Sequence, residues 1–125
     1  MTRRYNDSQR ALAGRAILDM DKYWAETFAD LGMSDLNYCD LFTHLWLLRD
    51  APPTPKTELY PLMPNISRRT AVKYVQKAIE EGMLAEEDCE TDRRIRLIRL
   101  TPLAMKRMIR FLDHTCVSFS RVGQL

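Results

Sequence analysis

The chain has 125 residues, 46% of them hydrophobic, which supports one domain with a real core, although a domain of this size buries only a moderate share of its surface unaided. Its 19 basic and 17 acidic residues leave a net charge of +2, too small to name an anionic partner, so the distribution of charge must carry that argument. Three widely spaced cysteines without a CxxC pair argue against a disulfide framework, no apolar run approaches the roughly 18 residues of a membrane span, and MTRRYNDSQR lacks the apolar core of a targeting signal, so the expected setting is cytoplasmic.

Between Leu12 and Leu31 the apolar residues Ala13, Ile17, Met20, Trp24, Phe28 and Leu31 recur at steps of three or four, which predicts one helix with Gly32 as its stop. A second helix is expected from Ser34 as N-cap, with Leu36, Phe42, Leu45, Trp46 and Leu48 inward, ending before the proline cluster Pro52-Pro53-Thr54-Pro55. Thr54 and Pro55 read as the cap and first turn of a short third helix, KTELYPLM, stopped by Pro64-Asn65. Ser67 then caps a fourth helix whose buried stripe is Ala71, Val75, Ala78 and Ile79 and whose C-terminal cap is Gly82. Two helices joined by so short a turn form a helix-turn-helix.

Beyond Gly82, MLAEEDC and RRIRLIRL alternate as strands around Glu90-Thr91-Asp92, a two-stranded hairpin with both faces partly apolar: Ile98 and Leu100 on one, Ile95 and Leu97 on the other. Thr101-Pro102 opens a last helix with Met105, Met108, Ile109, Leu112, Cys116 and Phe119 as its stripe. The order of elements is that of a mainly α winged helix-turn-helix, in which the second helix of the turn motif enters the major groove of DNA.

Charge along that helix agrees. SRRTAVKY places Arg68, Arg69 and Lys73 on its first two turns, Lys77 follows, and no acid appears between Ser67 and Ile79. The N-terminus of a helix already favours an anion, so cations gathered there gain nothing locally and await something negative. With Ala71, Val75 and Ala78 inward, the outer arc carries Arg68, Arg69, Val72 and Lys73, suited to base edges, while Ser67, Thr70 and Lys77 suit phosphates. Tyr74 fits either a phosphate contact or packing on the neighbouring helix. At the hairpin tip Arg93, Arg94 and Arg96 are placed to enter the minor groove or grip its backbone, with Asp92 able to orient one of them as a bidentate pair.

The run SRRTAVKYVQKAIEEGML followed by ETDRRIRLIRLTPLA resembles the recognition helix and wing of MarR-type (multiple antibiotic resistance) transcriptional regulators, over about residues 34–110. The resemblance rests on Asp92-Arg93-Arg94 and Leu100-Thr101-Pro102. It implies sequence-specific binding of double-stranded DNA by a homodimer. In that arrangement residues 1–33 and 102–125 supply N- and C-terminal dimerisation helices and residues 34–101 the winged helix-turn-helix lobe, all within one domain.

Other readings stand beside this one. The acidic run Glu80, Glu81, Glu86, Glu87, Asp88, Glu90 and Asp92 would repel phosphate unless it turns away or pairs with the wing arginines, and exposed it would suit a winged helix used as a protein-protein interaction module. Trp24, Phe28, Tyr38, Phe42 and Trp46 are either packed core or the lining of a pocket for a small-molecule effector. Side chains two apart on a helix point about 200° apart, so His114 and Cys116 cannot share a metal ion, and no metal or cofactor is expected. Acidic neighbours are expected to raise the pKa of Cys89. No Ser/His/Asp set, paired carboxylates or glycine-rich phosphate loop supports an enzyme.

Overall fold

A computed structural model describes residues 4–123, which fall into two compact units: one runs up to Ser34 and resumes from Ile109, the other is Asp35–Met108.

In the first unit, helix α1 spans Asp7–Phe28. It starts five residues before its apolar periodicity because a cap rather than a stripe initiates it. Gln9 N–H donates to Asn6 Oδ1 and Asn6 N–H to Gln9 Oε1, both at 2.8 Å, so two orphan donors are satisfied reciprocally. The chain leaves α1 through a tight turn at Ala29–Leu31 and reverses at Gly32, whose φ of +67° is the left-handed conformation glycine adopts without cost. Trp24 fills the core: it stacks on Phe28 with centroids 4.1 Å apart, meets Phe111 edge-on at 4.9 Å, and donates its indole N–H to the Met33 carbonyl at 3.1 Å.

The second unit begins with α2, Leu36–Leu47. Its cap is Asp35, not Ser34, because the Asp35 carboxylate reaches the Asn37 N–H at 2.8 Å. Its buried side is Tyr38, Leu41, Phe42 and Leu45, whereas Leu36 and Leu48 are exposed and Trp46 lies half-buried under the Arg49 guanidinium. Trp24 and Phe28 in one unit and Tyr38 and Phe42 in the other are thus taken up in packing.

The short helix expected at KTELYPLM does not form. Thr54–Pro55 is instead a strand, β1, paired with the second strand of the hairpin, followed by two isolated tight turns at Lys56–Glu58 and Tyr60–Leu62. Pro61 has no N–H to give the carbonyl four residues back, so a continuous helix cannot propagate through it, and Pro55 is tolerated because β1 is an edge strand. Leu59 and Met63 are buried from these turns all the same.

Helix α3, Arg68–Glu80, buries Ala71, Val75 and Ala78 and ends at Gly82 with φ +77°, where Met83 N–H returns to the Ala78 carbonyl at 2.9 Å. Strands β2, Leu84–Asp88, and β3, Arg96–Leu100, form the expected hairpin, and β1 makes the sheet three-stranded and antiparallel in the order β1-β3-β2. Ile98 is the residue buried from β3, facing Glu86 on one neighbour and Thr54 on the other.

Helix α4, Pro102–Phe119, follows. Its buried line is Ala104, Met108 and Phe111, turned roughly a quarter of the circumference from the predicted stripe, which leaves Ile109 and Cys116 exposed. Periodicity located the helix, but with apolar residues on several sides it could not choose the side. Among the described residues, no helix is long and apolar enough to cross a membrane.

Thr101 welds α4 to the sheet. Its hydroxyl donates to the Gly82 carbonyl at 2.6 Å and accepts the Ala104 N–H at 3.2 Å, while its own N–H bonds the Met83 carbonyl at 3.1 Å. Thr101→Val keeps the shape but removes the cap and the cross-link. It is expected to lower the stability measured by urea denaturation by about 1–2 kcal/mol with the m-value unchanged.

Candidate nucleic-acid interface

The interface is built on α3 and the β2–β3 hairpin. Ser67, in extended backbone, caps α3 by accepting the Thr70 N–H at 3.1 Å and donates its hydroxyl to Thr70 Oγ1 at 3.0 Å. Burial of Ala71, Val75 and Ala78 turns the opposite arc to solvent, and that arc carries Arg69, Val72, Lys73 and Gln76, with Val72 41% exposed. Arg69 and Lys73 have no ion-pair partner among the described residues. Arg68 points elsewhere: its guanidinium lies 5.0 Å from the centroid of the Tyr60 ring, a cation–π contact that steers it from below.

In the wing the acidic run is paired from within at Glu86, Glu87, Asp88 and Asp92, while Glu90 stays exposed. Glu86 accepts Arg96 Nε at 2.8 Å and Lys56 Nζ at 3.3 Å, Arg96 also pairs with Asp88, and Arg99 reaches Glu87 at 3.3 Å. Asp92 grips Arg94 through Nε at 3.2 Å and a terminal nitrogen at 3.1 Å, the expected bidentate pair, and also accepts its backbone N–H at 3.0 Å. Arg93 remains exposed at the tip with no partner among the described residues.

The chain matches no protein-family model and no curated protein sequence. Solved structures do match. The transcriptional repressor CouR bound to a 23-mer DNA duplex superposes over 90% of this chain and 79% of its own at TM-score 0.60 and 19% identity. MarR superposes over 92% and 83% at 0.59 and 13%, and the transcriptional regulator Tm0710 of Thermotoga maritima over 95% and 80% at 0.63 and 13%. The fold is the MarR winged helix. At these identities the similarity is one of architecture, and it places α3 and the β2–β3 hairpin as the helix and wing of the MarR fold.

Within that fold the residues singled out from sequence divide by occupation. Ser67 and Thr70 sit together at the first turn, with Arg68 and Arg69 exposed beside them and Lys77 two turns on. Arg94 and Arg96 are already held by wing carboxylates, whereas Arg93 is not. Tyr74 takes the packing role: its ring stacks on Tyr38 at 4.6 Å with planes 6° apart, and its hydroxyl donates to Asp35 Oδ2 at 2.7 Å. That hydrogen bond, with burial and the Asp35 charge adding to it, pushes the Tyr74 pKa above its ordinary value, and burial pushes Tyr38 up to about 12.

Tyr60, Lys56 and Asp35 were not anticipated. Each partners a residue eight to 39 positions away, and nothing in local spacing signals such a meeting.

The expectation for Cys89 is reversed. Its Sγ lies 3.3 Å from Thr91 Oγ1, and that hydroxyl together with the N–H groups of Thr91 and Asp92 favours the thiolate and lowers the pKa despite the nearby Asp92 charge. Acid neighbours in sequence were a poor guide because the tip turn aims donors at the sulfur. Among the described residues no group of three or more His, Cys, Asp and Glu side chains is arranged to hold a metal ion. His114 instead stacks on Tyr23 at 3.7 Å and bonds Asp19 at 2.7 Å.

The wing hub carries a pH signature. The Arg96 hydrogen bond, opposed by partial burial and aided by Lys56, holds Glu86 below its ordinary 4.5. A carboxylate depressed in the folded state stabilises above its unfolded pKa and loses that contribution as pH falls through the folded value. Glu86→Gln is therefore expected to be less stable than the parent near neutrality, with the gap closing as pH falls from about 5 to about 3 in urea titrations.

Proposed function

We propose that the protein binds double-stranded DNA sequence-specifically and regulates transcription by occupying its site, acting as a homodimer. The observation that carries this is the exposed arc of α3, where Arg69 and Lys73 are cationic and unpaired, while Glu86, Glu87, Asp88 and Asp92 of the adjacent hairpin are matched by Lys56, Arg94, Arg96 and Arg99. CouR, of the same fold, was solved on a DNA duplex, which supports this use of the fold. Arg69, Val72 and Lys73 read bases, with Arg68 steered by Tyr60. Ser67, Thr70 and Lys77 hold phosphates, and Arg93 with Arg94 and Arg96 anchors the wing. Pairing of Glu86, Glu87, Asp88 and Asp92 reduces the acidic surface that a protein-interaction module required.

Dimerisation is supported by large apolar side chains left in water on the first unit: Leu18 of α1 is 70% exposed and Val117 of α4 is 72% exposed, with Ile17 and Ile109 nearly half exposed. With Trp24, Phe28, Tyr38 and Phe42 taken up in packing, a small-molecule effector would bind elsewhere. The cleft of about 410 Å³ lined by Leu12, Arg15, Asp19, Ser118 and Arg121 in the first unit is wide enough for one.

Two experiments test this. Binding to duplex DNA measured between about 50 and 200 mM salt is expected to weaken steeply, with Lys77→Ala weakening all sequences alike and lowering the salt slope by about one. Arg69→Ala is expected to relax sequence preference by roughly 1–3 kcal/mol at one base position; equal behaviour of the two variants contradicts the division of roles. In sedimentation the parent is expected as a dimer and Leu18→Glu as a monomer, and a monomeric parent at micromolar concentration overturns the assembly.

A further inference from the structure

Helix α3 packs on its core through short side chains. The stripe it buries consists of Ala71, Val75 and Ala78, three short side chains that give little purchase against rotation. Rotation matters greatly on the other side. A helix with its side chains is about 10–12 Å across, so a turn of about 20° moves a surface side chain by about 2 Å, enough to break a bidentate arginine–guanine pair. A further contact that fixes the angle therefore bears on recognition.

The fixture lies beside the basic arc. Tyr74 is held at both ends: its ring lies parallel on Tyr38, which is itself 2% exposed, and its hydroxyl reaches Asp35 Oδ2 at 2.7 Å. Asp35 is immobilised in turn, because its other oxygen accepts both the N–H and the side-chain amide of Asn37 at 2.8 Å as the cap of α2. A flat stack sets the tilt of the ring, and a hydrogen bond at its far end sets how far it can swing. Tyr74 immediately follows Lys73 and lies five residues from Arg69, so any freedom it lost is lost to them too.

We propose that Asp35 and Tyr38 are positioning residues for DNA recognition, fixing through Tyr74 the rotation of α3 so that Arg69, Val72 and Lys73 meet the groove in one register, and that Tyr74 holds no phosphate. The inference rests on the DNA-binding function proposed above. It assigns to an anionic side chain near the basic surface a favourable effect on binding, which simple charge counting assigns the opposite sign.

Two conservative variants separate these outcomes. Tyr74→Phe keeps the stack and removes the donor; Asp35→Ser keeps a capping oxygen for α2 but is too short to reach Tyr74. Full-length parent and variants are titrated against a duplex that the parent selects from a random library and against a scrambled duplex of equal length. Each variant is expected to lose roughly tenfold of the discrimination between the two duplexes, the double variant no more than either alone, with the salt slope unchanged. Tighter binding of Asp35→Ser to both duplexes shows that its charge merely repels DNA and overturns the inference. Uniform weakening by Tyr74→Phe without any effect of Asp35→Ser shows a phosphate contact and overturns it equally. If the parent itself binds no duplex at low salt, the DNA-binding function fails, and that result is distinct from parental binding with undisturbed discrimination in the variants, which sinks the positioning role alone.

Discussion

The molecule is organised around the pairing of charge within the hairpin. Glu86 sits between Lys56 and Arg96, and with Asp88, Glu87 and Asp92 each matched by an arginine, the strands carry almost no uncompensated negative charge. Exposed pairs of this kind contribute little stability individually. Their effect is on the neighbouring helix: with the strand carboxylates matched, the positive charge of Arg69 and Lys73 on α3 is not offset from the hairpin strands. Lys56 extends the same hub beyond the hairpin, so the tight turn that follows β1 and the hairpin share one electrostatic centre.

The proposed division of labour among cations rests on occupation rather than on residue type. Arginines with a carboxylate partner, such as Arg94 and Arg96, have fixed geometry and a partly cancelled charge, which suits docking against a backbone in one orientation. Arg69, Lys73 and Arg93 retain full charge and rotamer freedom. Arg68 is intermediate, because an aromatic face steers a guanidinium without neutralising it. A formal net charge of +2 conceals this sorting completely.

Much of the architecture was legible in the sequence, for reasons that can be named. Gly32 and Gly82 mark left-handed backbone, Ser67 marks a cap, and the Ala71-Val75-Ala78 spacing marks a buried stripe, and all are local signals. The basic arc followed directly from that stripe. What escaped notice depended on long-range meetings or on competition between local signals: Thr54-Pro55 carries a good helix-start pattern, yet pairing with Ile98 and Leu97 captured it as a strand. The face of α4 was misjudged because apolar residues populate several of its sides, and the Tyr74–Asp35 and Arg68–Tyr60 partnerships join segments whose proximity no periodicity encodes.

The sheet is finished at both margins. On one side β1 is two residues long and carries Pro55, which has no N–H to offer a further strand. On the other, β2 carries Glu86, Glu87 and Asp88 in succession, and charged side chains on an edge strand disfavour the addition of a further strand. Both margins thus disfavour strand addition. The copies of the homodimer proposed above would then meet through helices, without opening the sheet or disturbing the hairpin's ion pairs.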